Sequence, residues 1–185
     1  AIAARGGTLS DAADEGSDTG GPTIWATGWQ GLKDLSRALD RPVGTGVKGQ
    51  AAILAHDATG AAQIFASGSH IVPHLDGTVA IGSTSERDFD DPETTDHLLD
   101  DVVQRATEIL PVLKGARIAE RWAGVRPRAA SRAPLLGAWP DRPGHYVANG
   151  GFKIGIGVAP KVAEVLCDLV LDDHDTIPDD FRLTA

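Results

Sequence analysis

The sequence predicts an α+β fold, with an antiparallel sheet and helices packed on it. Between Val47 and Thr84 short apolar runs alternate with turns rich in Gly, Asp and His, at the spacing of about 8–12 residues expected of an antiparallel meander. Other segments switch to apolar spacings of three and four, the mark of amphipathic helices. A glycine-rich stretch, with four glycines between Gly150 and Gly157, then joins a strand run to the last helix.

Taken in order, residues 1–21 are rich in Gly, Ser, Asp and Ala with few large apolar side chains, and read as a flexible segment. Pro22 to Ala26 reads as a short strand. From Trp29 to Leu39 the residues Leu32, Leu35, Ser36 and Leu39 share a helical face, which Pro42 and a Gly44-Thr45-Gly46 loop terminate. The runs Ala51–Ala55, Ala62–Ala66, His70–Pro73 and Thr78–Ile81 are strands, and Asp76-Gly77 suits a hairpin turn. Asp91-Pro92-Glu93 places a capping residue before a proline compatible with a helix start. Leu98, Leu99, Val102, Val103, Ala106, Ile109 and Leu110 then form an apolar stripe. Ile118 to Val125, Leu135 to Gly137 and His145 to Ala148 read as strands. A last helix is expected from Pro160, at its first position, to Leu171, burying Val162, Val165, Leu166, Leu169 and Val170. The acidic end, 173–185, is expected to wrap the surface.

Composition excludes several function classes. A net charge of −9 and a pI near 5.0 argue against nucleic acid and anionic membranes as partners. No apolar run approaches the ~18 residues of a membrane span, and no leader peptide is visible. The single Cys167 excludes an internal disulfide and fits a reducing, cytoplasmic compartment; mid-helix, it is expected to be a small buried hydrophobe. Residues 86 to 101 hold eight acids against one base, Arg87, and read as a solvated loop and helix start. His70 and His74 lie roughly 13 Å apart in an extended chain, with no Cys or Asp to complete a set, so no metal site is expected.

Four places carry candidate chemistry. The stretch Gly150-Gly151-Phe152-Lys153-Ile154-Gly155-Ile156-Gly157 lets backbone approach a flat ligand, with Lys153, between Phe152 and Ile154, expected to be buried, and the helix start after it offers free N–H groups and a partial positive charge. A plain turn into a packing helix is the other reading. Arg126, between an apolar run and Pro127, should leave a strand end in a set direction, either to clamp a carboxylate or to pair with one of the many acids. His70 either hydrogen-bonds a ligand or is an ordinary strand histidine. Ala26-Thr27-Gly28 is a strand-end turn, either a nucleotide contact or a simple connection.

The order of segments resembles the C-terminal half of the FAD-dependent amine oxidases of the D-amino acid oxidase, glycine oxidase and sarcosine oxidase group. Pro22 to Trp29 resembles the family's strand ending in an Ala-x-Gly turn, and Val47-Lys48-Gly49-Gln50 its "KGQ" strand. Ser69 to Thr84 is similar to its "YIVP…DG…VVGAT" hairpin. Trp122-Ala123-Gly124-Val125-Arg126-Pro127 resembles its "WAGLRP", and the glycine stretch closes the series.

The resemblance implies FAD as cofactor, held through Ala26, Thr27, Gly28, Gly150, Gly151, Phe152, Lys153, Ile154, Gly155, Ile156 and Gly157. It implies that Arg126 and Lys153 bind a substrate carboxylate and that His70 stands where glycine oxidase carries an active-site tyrosine. Lys153 departs from the arginine of glycine oxidase and matches the "GFK" form of monomeric sarcosine oxidase. The implied reaction is oxidation of a small amino acid or secondary amine to an imine, with electrons passed to oxygen. The alternatives are a flavin dehydrogenase serving a partner and a non-catalytic binding or assembly subunit on the same scaffold.

Family members begin with a strand–GxGxxG–helix unit that holds the ADP part of FAD, and no such motif stands in this sequence. The expectation is therefore a C-terminal portion of a Rossmann-like FAD domain enclosing a substrate domain. Residues 22–46 and 126–172 would belong to the FAD side and 47–125 to the substrate sheet. The missing half, or a partner chain, would complete the enzyme, and the 185 residues by themselves would be inactive.

Overall fold

The computed structural model describes residues 2–9 and 20–183. Most of the segment expected to be flexible therefore lies outside the described residues. Two sheets carry the architecture. The larger contains β2 (Gly44–Ala55), β3 (Ile64–Ala66), β4 (Ser69–Pro73), β5 (Val79–Gly82) and β6 (Arg117–Ala129), all antiparallel, in the order β3-β4-β5-β2-β6. In the smaller, β1 (Thr23–Trp25) runs parallel to β8 (His145–Asn149), which pairs antiparallel with β7 (Leu135–Ala138). Three helices pack on them: α1 (Gly28–Ala38), α2 (His97–Ile109) and α3 (Gly155–Asp172). None of the described helices is long and apolar enough to cross a membrane.

The expected meander is present as β3-β4-β5, but β2, which precedes these strands in sequence, is inserted between β5 and β6. Its partner β6 extends along it from Gly44 opposite Ala129 to Ala55 opposite Arg117. Gly44-Thr45-Gly46 is thus strand rather than loop. The two glycines serve close approach: a Cβ on Gly44 would meet the Arg128 carbonyl at 2.7 Å, and one on Gly46 would crowd Val125 and Trp29.

Alternation along these strands sorts side chains onto two faces. Ala52, Leu54, Ile71, Val79 and Ile81 face α2 and form one core with its Leu99, Val102 and Ala106. Those helical residues recur at the spacing of a single apolar stripe. The helix starts at His97, not after Asp91. Asp96 caps it by accepting the Leu98 N–H at 2.9 Å. Asp91 instead accepts the N–H groups of Glu93 and Thr94 at 2.8 and 3.1 Å, a local turn that competes with helix.

A second core joins Leu32 and Leu35 of α1 to Val43, Ala129, Leu135 and Val147; a third joins Val165 and Leu166 of α3 to Leu136 and Ile177. Two expectations about α3 are corrected. It begins at Gly155, so Pro160 lies inside it and removes one backbone hydrogen bond there. Cys167 is exposed, because the buried stripe of α3 is Val165 and Leu166, one position aside. The acidic end does more than wrap the surface. Ile177 is buried in the third core, and the Leu183 N–H donates to the Leu136 carbonyl at 3.0 Å, along the outer edge of β7.

Candidate functional site

The turn after β1 and the loop after β8 are bound together by one side chain. Asn149, the last residue of β8 and buried, donates from Nδ2 to the Gly28 carbonyl at 2.9 Å and accepts the Gly150 N–H on Oδ1 at 2.7 Å. Gly150 has φ +73°, and a Cβ there would meet the Ala129 methyl at 2.8 Å, so only glycine fits. The chain then docks on the end of β6: Gly151 bridges Arg128, and the Phe152 N–H donates to the Pro127 carbonyl at 3.0 Å. Phe152 has φ +44°, a left-handed conformation costly for a non-glycine residue. Its ring lies 5.9 Å from the Arg128 guanidinium. At Ile154 α3 starts with no side-chain cap, leaving its first N–H groups available.

These elements border an open cavity of about 580 Å³ with mostly apolar walls. Ala26, Gly28, Gly150, Gly151, Phe152, Gly155 and Ile156 line it. Of the other residues the sequence assigned to a cofactor, Lys153, Ile154 and Gly157 do not line it, and Thr27 borders the groove beside Trp25 instead. The sequence reading missed Asn149, Pro127 and the small side chains of α3, among them Ala159 and Ala163. The small-residue spacing Gly155, Ala159, Ala163 was legible as one helix face; Asn149 gave no pattern.

On the other side of the β6 joint lies the face of the large sheet that α2 does not cover. Arg126, opposite Val47, is half-buried there with its guanidinium over Gly49, where any Cβ would collide with it. Nη2 donates to Ser83 Oγ at 2.6 Å and Nη1 to the Thr84 carbonyl at 3.4 Å. No acid forms an ion pair with it among the described residues. Partial burial lowers its pKa and the charge of Glu86 opposes that shift, so the group stays cationic at any physiological pH.

His70 belongs to the same face. It pairs with Gly82, which precedes the Ser83 that Arg126 touches, and the row continues through Ala51 to Trp122. Gly49, Gly82 and Gly124 form a low floor between the Arg126 and His70 positions. The imidazole is exposed, with Nδ1 2.9 Å from Gln63 Nε2 and its ring 4.4 Å from Phe65. Lys153 is exposed rather than buried, its Nζ 5.6 Å from the Phe152 ring centre, and it forms no ion pair among the described residues. The structure therefore places Arg126 and His70 on one floor and Lys153 across the joint where Phe152 meets Pro127. Among the described residues no group of three or more His, Cys, Asp or Glu is placed to hold a metal ion.

Known proteins resemble the chain in sequence and fold. The chain is 33% identical over 147 residues to the glycine oxidase of Pseudomonas putida, an overlap of 78% of this chain and 40% of that protein. The crystal structure of glycine oxidase from Geobacillus kaustophilus superposes with a TM-score of 0.76 at 25% identity, over 87% of this chain and 44% of that one. For the Bacillus cereus glycine oxidase the values are 0.72, 27%, 82% and 42%. The chain thus spans less than half the length of each. The family model described as "FAD dependent oxidoreductase" matches residues 2–169, and the chain belongs to that family.

Proposed function

We propose that residues 47–125 supply the substrate-binding sheet, and residues 22–46 and 126–172 the flavin-side junction, of a cytoplasmic FAD-dependent oxidase. It converts a small amino acid or secondary amine to its imine and passes the electrons to oxygen. The observation that carries this reading is Arg126: a half-buried guanidinium without an ion-pair partner among the described residues, on a glycine floor, at the joint with an apolar cavity.

The residues present fit FAD. Small side chains and bare backbone line the cavity, Gly150 leaves no room for a Cβ on its other side, and the uncapped start of α3 offers N–H donors to an anionic edge. When bound, FAD would accept two electrons from the carbon beside the substrate nitrogen. The remainder of such a protein, the part in which the relatives exceed this chain, would hold the nucleotide.

The chain's own residues bind and orient. Arg126 grips the substrate carboxylate with the two N–H edges, Lys153 adds a second positive charge from across the joint, and His70 hydrogen-bonds from the far side of the floor. Gly49, Gly82 and Gly124 favour a substrate with little or no side chain, in keeping with the substrate for which the Pseudomonas relative is named. An amine that binds neutral needs no strong base.

Two substitutions in the full-length, flavin-loaded protein test this. Arg126→Ala is expected to lower kcat/KM for glycine on the order of 10²–10³-fold with flavin content unchanged, since a charge buried beneath its ligand loses its partner. A loss under about tenfold assigns Arg126 to structure. Lys153→Met is expected to raise KM for carboxylate substrates and spare amines without a carboxylate. Equal losses for both, with a flavin potential shifted by more than about 30 mV, would assign Lys153 to the flavin instead.

A further inference from the structure

Among the described residues Arg126 forms no ion pair, in a sequence with 26 acids against 17 lysines and arginines, although Glu86 is near enough to favour its charged form. The hydrogen bonds of Gln50 account for this. Gln50 is fully buried on β2, on the α2 side of the sheet, the opposite side from Arg126. Its Nε2 donates to Glu86 Oε1 at 3.0 Å and to Asp96 Oδ1 at 2.9 Å, and its Oε1 accepts the Asp96 N–H at 2.8 Å. A primary amide has two N–H donors, and both are given to acids. Its backbone holds the same segment: the Gln50 N–H donates to Thr84 Oγ1 at 2.8 Å, and the Thr84 N–H to the Gln50 carbonyl at 3.2 Å. The Thr84 hydroxyl donates in turn to the Glu86 carboxylate, while the Thr84 carbonyl faces Arg126. Lys48, buried on the same side as Gln50, adds positive charge that Asp91 and Asp96 both feel.

We propose that Gln50 is a positioning residue that holds the Glu86 carboxylate away from Arg126, so that the guanidinium is left free for a substrate carboxylate. This rests on the reading of Arg126 as the carboxylate anchor. A neutral amide is suited to the task, since it offers two donors to two acids and carries no charge that would pair with a substrate. Without it, the Glu86 carboxylate keeps only the Thr84 hydroxyl, and Arg126, which contacts the carbonyl of the same Thr84 and has unused donors, is a cation it can pair with. An internal ion pair there competes with the substrate's carboxylate for the same N–H edges.

The test uses the full-length, flavin-loaded protein with acetate as the probe, its binding read from the flavin absorbance. Gln50→Met is expected to weaken acetate about 10–100-fold, the range for hydrogen bonds to a charged group, with flavin content unchanged. Adding Glu86→Gln to that variant is expected to restore the Kd to within about threefold of the parent. A merely structural Gln50 would instead show losses that add in the double variant, and that result overturns the proposal. Thr84→Val removes the other donor to Glu86 at a less buried position, and serves if Gln50→Met does not fold; a smaller loss, again rescued by Glu86→Gln, is expected. If Arg126→Ala binds acetate as tightly as the parent, the anchor reading fails and this inference with it. If Arg126→Ala loses acetate while neither Gln50→Met nor Thr84→Val weakens it, this inference alone fails.

Discussion

Alternate residues of the same strands build the two faces of the large sheet. On the α2 side stand Ala52, Leu54, Ile71, Val79 and Ile81, each no more than 1% exposed beneath Leu99, Val102 and Ala106. On the other side the corresponding positions are Gly49, Ala51, Gly82 and Gly124, with Trp122 39% exposed, His70 exposed and Arg126 half-buried. A face made for stability uses branched side chains that fill space. A face made for a ligand leaves space, and sets a few directed polar groups around it. Arg126 is on the second face, while the amide that frees it is on the first.

Substitutions on the two faces should therefore separate stability from binding. Leu99→Ala, which empties a fully buried site on the α2 side, is expected to cost about 2–5 kcal/mol by denaturant titration, and to leave the Kd for acetate unchanged in the molecules that remain folded. A cost below about 1 kcal/mol would show that this face is not the stabilising one. Gly49→Ala is the converse. Its Cβ would occupy the space of the Arg126 guanidinium, the far end of a flexible side chain, so stability should change by less than about 1 kcal/mol while acetate affinity falls on the order of tenfold. Unchanged affinity would mean that the guanidinium binds from another position.

The smallest expected effect is on titration. The Gln50 amide, and after it the Leu98 N–H, hold the Asp96 carboxyl below its ordinary value of 3.8. A depressed folded pKa means that this contribution is present above the ordinary value and is lost as pH falls through the lower, folded one. The carboxyl resonance of Asp96 should thus titrate with a midpoint below 3.8, and Gln50→Met should move it upward. A midpoint at or above the ordinary value would remove Gln50 from the network around Glu86.

Much of this was legible in the residues. Strand alternation, the stripe of α2 and the glycine stretch all follow from local pattern, because side-chain period and backbone freedom are properties of short segments; Arg126, expected at a strand end, lies within β6, because pairing with β2 carries that strand on to Ala129. Helix starts were less legible. The proline signals at Pro92 and Pro160 pointed to starts at the wrong residues, since Asp91 is engaged in its own turn and α3 begins a turn and a half earlier. Lys153 and Cys167 were assigned the wrong exposure, because burial depends on which flank of a loop or helix meets a neighbour.

By itself, then, the sequence determined the α+β class, the family and the residue types able to meet a carboxylate and a flat cofactor. Only the tertiary structure decided that β2 enters between β5 and β6, and the surroundings of Arg126 follow from that insertion. It lays Gly49 under the Arg126 guanidinium and sets Gly82 between Ala51 and His70. It also carries Gln50 to Glu86 and Asp96, 36 and 46 residues away along the chain. Strand order is set by long-range pairing and by the burial of a whole face at once, and no local window of sequence contains that information.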